Sequence, residues 1–339
     1  MLRHWLLLGA VSVAATLFDQ RSNDRGHVDH ESARNVILVV SDGLRWQEVY
    51  AGADSAILFG APAMLGGNGD AIKKKYWRLT AAERRAALMP FVWGTVANHG
   101  ELLGNRALSS DVDVTNPMKF SYPGYNEMLV GVPDARIDRN DFGPNPNVTV
   151  FEWLNRRPEF RGRVAAFGNW DVFRDIFNVR RSRIPIRTTG SKPHDKLVQK
   201  MVLPFLKKER PRALFVGFAE TDDFGHEGRY DRFLEAAHAV DAYLAELWAA
   251  VQSNARYRDN TTIIFTADHG RGRGATDWRH HGNDIPGSGE TFMIRIGPEI
   301  GAGGERASTT HVLGDVATAT AAALGLRYQA LQPAAALAK

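Results

Sequence analysis

Residues 35–42 read Asn-Val-Ile-Leu-Val-Val-Ser-Asp, and the apolar part, Asn35 to Val40, has no polar alternation. A run that short is too brief for a buried helix. Its β-branched content suits a strand covered on both faces, as in a parallel sheet. Similar runs recur at Val164 to Phe167, Ala213 to Phe218, Thr262 to Thr266 and Phe292 to Ile296. Helical patterns separate most of them. The clearest runs from Arg229 to Val251, with Phe233, Ala236, Ala237, Val240, Tyr243, Leu244 and Leu247 on one face. Thr80-Ala81-Ala82-Glu83 has capping-box spacing and predicts a helix running toward Gly100; Thr149-Val150-Phe151-Glu152 repeats the signal. Phe59 to Asp70 is Gly-rich and reads as irregular. Strands alternating with helices predict an α/β fold, a mainly parallel central sheet with helices on both faces. No repeat or linker divides the chain, so residues 21–339 are expected to form a single catalytic domain.

The chain has 339 residues, 44% of them hydrophobic, enough for a large core. Its 42 basic residues are interspersed with 38 acidic ones, and a net charge of +4 is too small and too scattered for a nucleic-acid-binding surface. The short run Lys73 to Lys75 reads as a solvated face. Residues 1–20 combine Arg3, an apolar run from Trp5 to Leu8 and small residues through Ala15. They predict a signal peptide or N-terminal anchor, hence export to a periplasmic or secreted location, with no other transmembrane span. The absence of cysteine excludes disulfides, thiolate metal sites and Cys nucleophiles.

Three of the predicted strands lead into carboxylates: VILVVSD ends at Asp42, ALFVGFAETD at Asp222 and IIFTAD at Asp268. Open α/β sheets bind ligands beyond the carboxyl ends of their strands, so three segments would deliver acids to one edge. A single such Asp is often only a helix cap. Here His226 follows Asp222 by four positions, His269 adjoins Asp268, and His280-His281-Gly282 comes soon after. Carboxylates mixed with imidazoles suit Zn²⁺ best, with Mn²⁺ or Fe as the other candidates. His27, His30, His238 and His311 lack such company and read as structural or exposed. Ser121, in TNPMKFSYPGYNEMLVG, lies in a Pro- and Gly-containing loop before a helix start. It can serve as a nucleophile favoured by backbone donors and a nearby cation, or simply cap that helix.

These residues resemble the alkaline phosphatase superfamily, above all its type I phosphodiesterase and nucleotide pyrophosphatase branch. The matching positions are Asp42, Ser121 with Gly131, Asp222 with His226, Asp268-His269-Gly270 and His281-Gly282. The resemblance implies an alkaline phosphatase-like fold and two divalent metal ions. Asp222, His226 and His281 would hold one, and Asp42, Asp268, His269 and Ser121 the other. It also implies that Asn140 binds a phosphoryl oxygen, with Asn126, Asn145 and Asn147 as competitors for that role.

The implied activity is phosphoester hydrolysis, by a phosphatase or phosphodiesterase, through a phosphoseryl intermediate on Ser121. The substrate is a small phosphate ester; the sequence names neither its alcohol nor an oligomeric state. Alternatives are a phosphomutase or phosphotransferase on the same scaffold and a non-catalytic exported metal-binding protein. A sulfatase fits less well, because Tyr125 stands where formylglycine formation needs Arg. Arg271, Arg273 and Arg279 lie beside the metal motifs. If they neutralise phosphate charge they favour monoesters, although each also reads as a surface arginine. Only twelve positions separate His269 from His281. That leaves no room for a large capping insertion, so the pocket is open or is covered by Phe59 to Trp77 or Phe173 to Lys192.

Overall fold

The Asn35 run forms β1 (Asn35–Ser41), and all of its residues are buried, as the missing alternation requires. The computed structural model describes residues 34–190 and 195–330, which fall in one compact unit. The further strands are β2 (Gly100–Leu103), β3 (Ser110–Asp113), β4 (Val164–Gly168), β5 (Ile186–Thr188), β6 (Ala213–Phe218), β7 (Thr261–Thr266), β8 (Met293–Ile296), β9 (Gly304–Glu305) and β10 (Thr309–Val312). Eight of them make one sheet in the order β5-β4-β6-β1-β7-β8-β2-β9, while β10 and β3 pair separately. The predicted apolar runs match β1, β4, β6, β7 and β8 to within one residue at each end.

Side-chain alternation sorts β1 between two cores. Ile37 and Val39 face one layer, which includes Phe233, Val240, Leu244 and Leu247 of the long helix Tyr230–Ser253. Val36, Leu38 and Val40 face the other, which includes Tyr125, Met128 and Leu129 of the helix Ser121–Val130. The sheet is thus covered on both faces. Only β8 departs from the parallel direction, running antiparallel to both β7 and β2.

The helix announced at Thr80 has the full reciprocal cap with Glu83 but ends at Leu88, well short of Gly100. Pro90 is the reason: it disfavours helical backbone at the preceding Met89, which sits at φ −127°, ψ 68°. A wide π-turn at Val92–Val96 and a short helix, Ala97–His99, follow. At Thr149 the cap is one-sided. Thr149 accepts from Glu152 N, whereas the Glu152 carboxylate turns to Arg156 and Arg181. The stretch expected to be irregular contains helical pieces at Ser55–Gly60 and Pro62–Leu65, and a helix begins at Gly69.

The strand order decides where the chemistry lies. β6, β1 and β7 are adjacent and parallel at the centre of the sheet, with Ser41 level with Phe218 and Val40 level with Thr266. Asp42, Asp222 and Asp268 therefore leave the same edge from three neighbouring strands.

Candidate active site

Asp42 follows β1 directly. Asp222 sits on the short helix Glu220–His226 after β6, four positions before His226, so both project from one side of that helix. Asp268 and His269 follow β7, and His281 returns to them after the turn around Gly274–Asp277. Their ligand atoms converge. His269 Nε2 lies 3.3 Å from Asp42 Oδ1, 3.5 Å from Asp268 Oδ2 and 4.0 Å from Asp222 Oδ1. His281 Nε2 is 3.6 Å from Asp222 Oδ1 and 2.9 Å from His226 Nε2, which is itself 3.2 Å from Asp222 Oδ2. Asp42, Asp268 and His269 form one tight group; Asp222, His269 and His281 form another, so His269 stands at the seam.

Ser121 is the first residue of its helix, with Phe120 at the cap position, and its Oγ lies 3.5 Å from both Asp42 Oδ1 and His269 Nε2. It is 6% exposed, enclosed by the cluster yet still reachable. Gly124, one turn on, lets this helix press against the main chain of Asp268; a Cβ there would collide with that carbonyl. Gly131 closes the helix in the left-handed region at φ 91°.

The asparagines separate cleanly. Asn126, Asn145 and Asn147 bond to one another, and Asn147 also donates to Asp134, a buried network that braces the loop behind the Ser121 helix. Asn140 is exposed and its Oδ1 accepts from Tyr122 N at 3.0 Å, beside Ser121. Two other histidines are committed elsewhere: His238 Nδ1 lies 2.7 Å from the Leu88 carbonyl, and His311 pairs with Asp315. His280 is exposed, whereas His27 and His30 lie outside the described residues.

The electrostatics ask for cations. Burial, then the charges of Asp222 and Asp223, pushes the Asp42 carboxyl well above its ordinary range; burial, then Asp42, does the same to Asp268. Burial would raise Asp222 too, but Arg271 and the neighbouring histidines overcome it and hold that carboxylate well below its usual value. Burial lowers His281 to about 2, leaving a neutral imidazole with a free lone pair. Asp268 Oδ2 is buried without a hydrogen-bond partner among the described residues, and two imidazole nitrogens face each other at 2.9 Å. Repelling carboxylates, an orphaned oxygen and two imidazole nitrogens brought face to face fit divalent metal ions well.

Two side chains take places in the site that only the structure shows. Tyr125 stands on the Ser121–Val130 helix one turn after Ser121. Its buried hydroxyl faces Asp42 and Asp268, which together with burial raise its pKa well above the ordinary range. The i, i+4 relation to Ser121 was the available signal. Arg271 is the other. It is fully buried and donates to Asp222, while Arg273 pairs with Glu290. Both pair with carboxylates of the protein, whereas the Nε of Arg279, the third arginine of the sequence argument, has no hydrogen-bond partner among the described residues. On one flank, Trp278 Nε1 donates to Met64 Sδ at 3.2 Å, so the segment around Phe59 to Trp77 packs beside the His281 turn.

The sequence pattern of the type I phosphodiesterase / nucleotide pyrophosphatase family matches residues 69–302, more than half of the chain and all the converging residues except Asp42. No curated protein matches the sequence. Among solved structures, the phosphonate monoester hydrolase of Agrobacterium radiobacter is similar at TM-score 0.59 and 13% identity, over 86% of this chain and 74% of that one. An inactive variant of murine ectonucleotide pyrophosphatase/phosphodiesterase 5 in complex with AMP matches at TM-score 0.55 and 12% identity, over 88% and 96%. A putative sulfatase from Bacteroides thetaiotaomicron matches at 0.59 and 12%, over 88% and 72%. At such identities the likeness is one of fold. Among the described residues, no helix is long and apolar enough to cross a membrane.

Proposed function

The chain belongs to the type I phosphodiesterase / nucleotide pyrophosphatase family of the alkaline phosphatase superfamily, metal-dependent hydrolases of phosphate esters, and from that premise we propose that it uses Ser121 as its nucleophile. One observation carries this reading: at the start of a helix, Ser121 Oγ stands 3.5 Å from ligand atoms of both Asp42 and His269. The substrate is a small phosphate ester. The single catalytic domain follows an export signal in residues 1–20, which lie outside the described residues and would direct it to the periplasm or the exterior.

Asp42, Asp268 and His269, with Ser121 beside them, would hold one divalent ion, and Asp222, His226 and His281, whose ligand atoms lie 2.9–3.6 Å apart, a second, with Zn²⁺ the best match to the donors. Bound metal supplies Lewis-acid polarisation of the phosphoryl group and neutralises its charge. Ser121 Oγ forms the new bond to phosphorus while the bond to the leaving alcohol oxygen breaks, giving a phosphoserine. The hydroxyl proton passes to solvent water, because Asp42 and His269 would be occupied as metal ligands, and the leaving alcohol oxygen takes a proton from water. Asn140, oriented by Tyr122 N, keeps its two amide hydrogens for a phosphoryl oxygen as charge builds there. Water then attacks the phosphoserine, restoring Ser121 and releasing phosphate or a phosphomonoester.

The test is Ser121→Ala, which should abolish turnover while most metal and the fold remain, since Ser121 is one ligand among several. Quenched wild-type reactions should show phosphate on the Ser121 peptide by mass spectrometry. Phosphate trapped on any other residue overturns the assignment.

A further inference from the structure

We propose that Arg271 is a positioning residue that fixes the Asp222 carboxylate as a ligand on the His226 and His281 side of the site. The inference rests on the metal-binding reading above. Arg271 is 1% exposed, and its guanidinium is held on three sides. Nε donates to the carbonyl of Trp278 at 2.9 Å, Nη2 to that of Arg279 at 2.5 Å, and Nη1 to Asp222 Oδ1. The two carbonyls belong to the turn that leads into His281. One side chain thereby ties a ligand arriving after β6 to the segment that delivers a ligand after β7.

The packing shows that the guanidinium is built in. Gly225, within the Asp222–His226 helix, abuts it so closely that a Cβ would lie 2.6 Å from Arg271 Cζ. With Oδ1 held by Arg271, Asp222 turns Oδ2 toward His226 Nε2 at 3.2 Å. The planar fork of an arginine can grip two carbonyls and a carboxylate at once; a lysine ammonium has donors enough but no fixed geometry. Partners of this kind orient metal ligands, and losing one typically costs about 10- to 100-fold in metal affinity.

A purely structural ion pair would alter stability without singling out one metal. The experiment is a Zn²⁺ titration of stripped full-length protein against a chromophoric chelator, for wild type, Arg271→Gln, Arg271→Lys and Gly225→Ala. In Arg271→Gln one of two equivalents should weaken by about 10- to 100-fold while the other keeps its affinity. Arg271→Lys should recover part of the loss. Gly225→Ala, which displaces the guanidinium but changes no charge, should weaken the same equivalent and covers the case in which Arg271→Gln fails to fold. If folded Arg271→Gln and Gly225→Ala hold both equivalents as wild type does, the inference is wrong and the proposed function stands. Wild type that holds no metal removes the metal reading and this inference with it.

Discussion

The hydroxyl of Thr221 donates to the main-chain carbonyl of Asp42 at 2.5 Å, with Ser41 Oγ 2.9 Å from the same hydroxyl. All three groups are buried. The bond joins the end of β1 to the helix that carries Asp222, and so sets the spacing between carboxylates from two strands.

Thr221→Val keeps the shape but leaves the Asp42 carbonyl without its donor. It should cost about 1–3 kcal/mol, the penalty for a buried polar group left unpaired. Thr221→Ser should retain most of the stability. Urea denaturation of the metal-free proteins checks this, and an unchanged midpoint for Thr221→Val would show that the bond contributes nothing.

Asp268 is predicted to be a stability liability without metal. Its folded pKa is raised by burial and by Asp42, so the carboxylate's contribution is unfavourable above that pKa and is relieved as pH falls through it. Asp268→Asn keeps an oxygen for the Gly43 N–H, now at 3.1 Å from Asp268 Oδ1, and removes the charge. At pH 8 the metal-free variant should be more stable by roughly 0.5–2 kcal/mol while losing activity and metal affinity. Thermal melts with and without Zn²⁺ decide it: metal should raise the wild-type melting temperature far more than the variant's.

Asp241 gives a pH effect remote from the site. Buried on the long helix, it accepts from the main-chain N–H groups of Phe91 at 2.8 Å and Val92 at 2.9 Å, yet burial still pushes its carboxyl up to about 6. A folded pKa above the unfolded one means that the folded state holds the extra proton between roughly pH 4 and 6. This contribution is fully present below about pH 4 and lost as pH rises through about 6. The stability of wild type relative to Asp241→Asn should therefore fall by roughly 1–3 kcal/mol across that window, measured by urea melts. A constant difference would contradict the burial argument.

Phosphate esters should be hydrolysed in preference to sulfate esters, because Tyr125 occupies the position where formylglycine formation needs Arg and Ser121 remains a plain hydroxyl. Nitrophenyl phosphate, bis-nitrophenyl phosphate and nitrophenyl sulfate compared at equal metal content give the answer in kcat/KM. With Arg271 and Arg273 bound to Asp222 and Glu290, Arg279 is the one of the three arginines beside the metal motifs left without a carboxylate partner among the described residues, and it can meet the extra charge of a monoester dianion. The monoester should accordingly be hydrolysed with the higher kcat/KM of the two phosphates; a higher value on the diester would remove that role from Arg279, and a higher value on the sulfate would argue against a serine nucleophile.

The elements legible in the sequence were those whose cause is local. Continuous apolar runs at Val36 and Ala213 needed cover on both faces, and the 3.6-residue pattern from Phe233 to Leu247 needed a core on one side. The acids and histidines could be listed because they stand directly after those runs. The short strands β2, β3, β5, β9 and β10 left no comparable trace, since two to four residues gain their stability from neighbours and not from their own pattern. The stop at Leu88 also has a local cause, Pro90, which the expectation of a helix running toward Gly100 left out of account.

By itself the sequence determined which side chains could do the chemistry and that Asp42 and Asp268 stand at the ends of strands and Ser121 near the start of a helix. Only the tertiary structure decided that they meet. Hydrogen bonding between segments more than 170 positions apart placed β6, β1 and β7 side by side in register and brought Asp42, Asp222 and Asp268 together. The same folding buried Arg271 against Asp222 and set Asn140, not Asn126, beside Ser121. Such roles depend on which surfaces are left facing each other once the core has formed, and a local pattern cannot encode that.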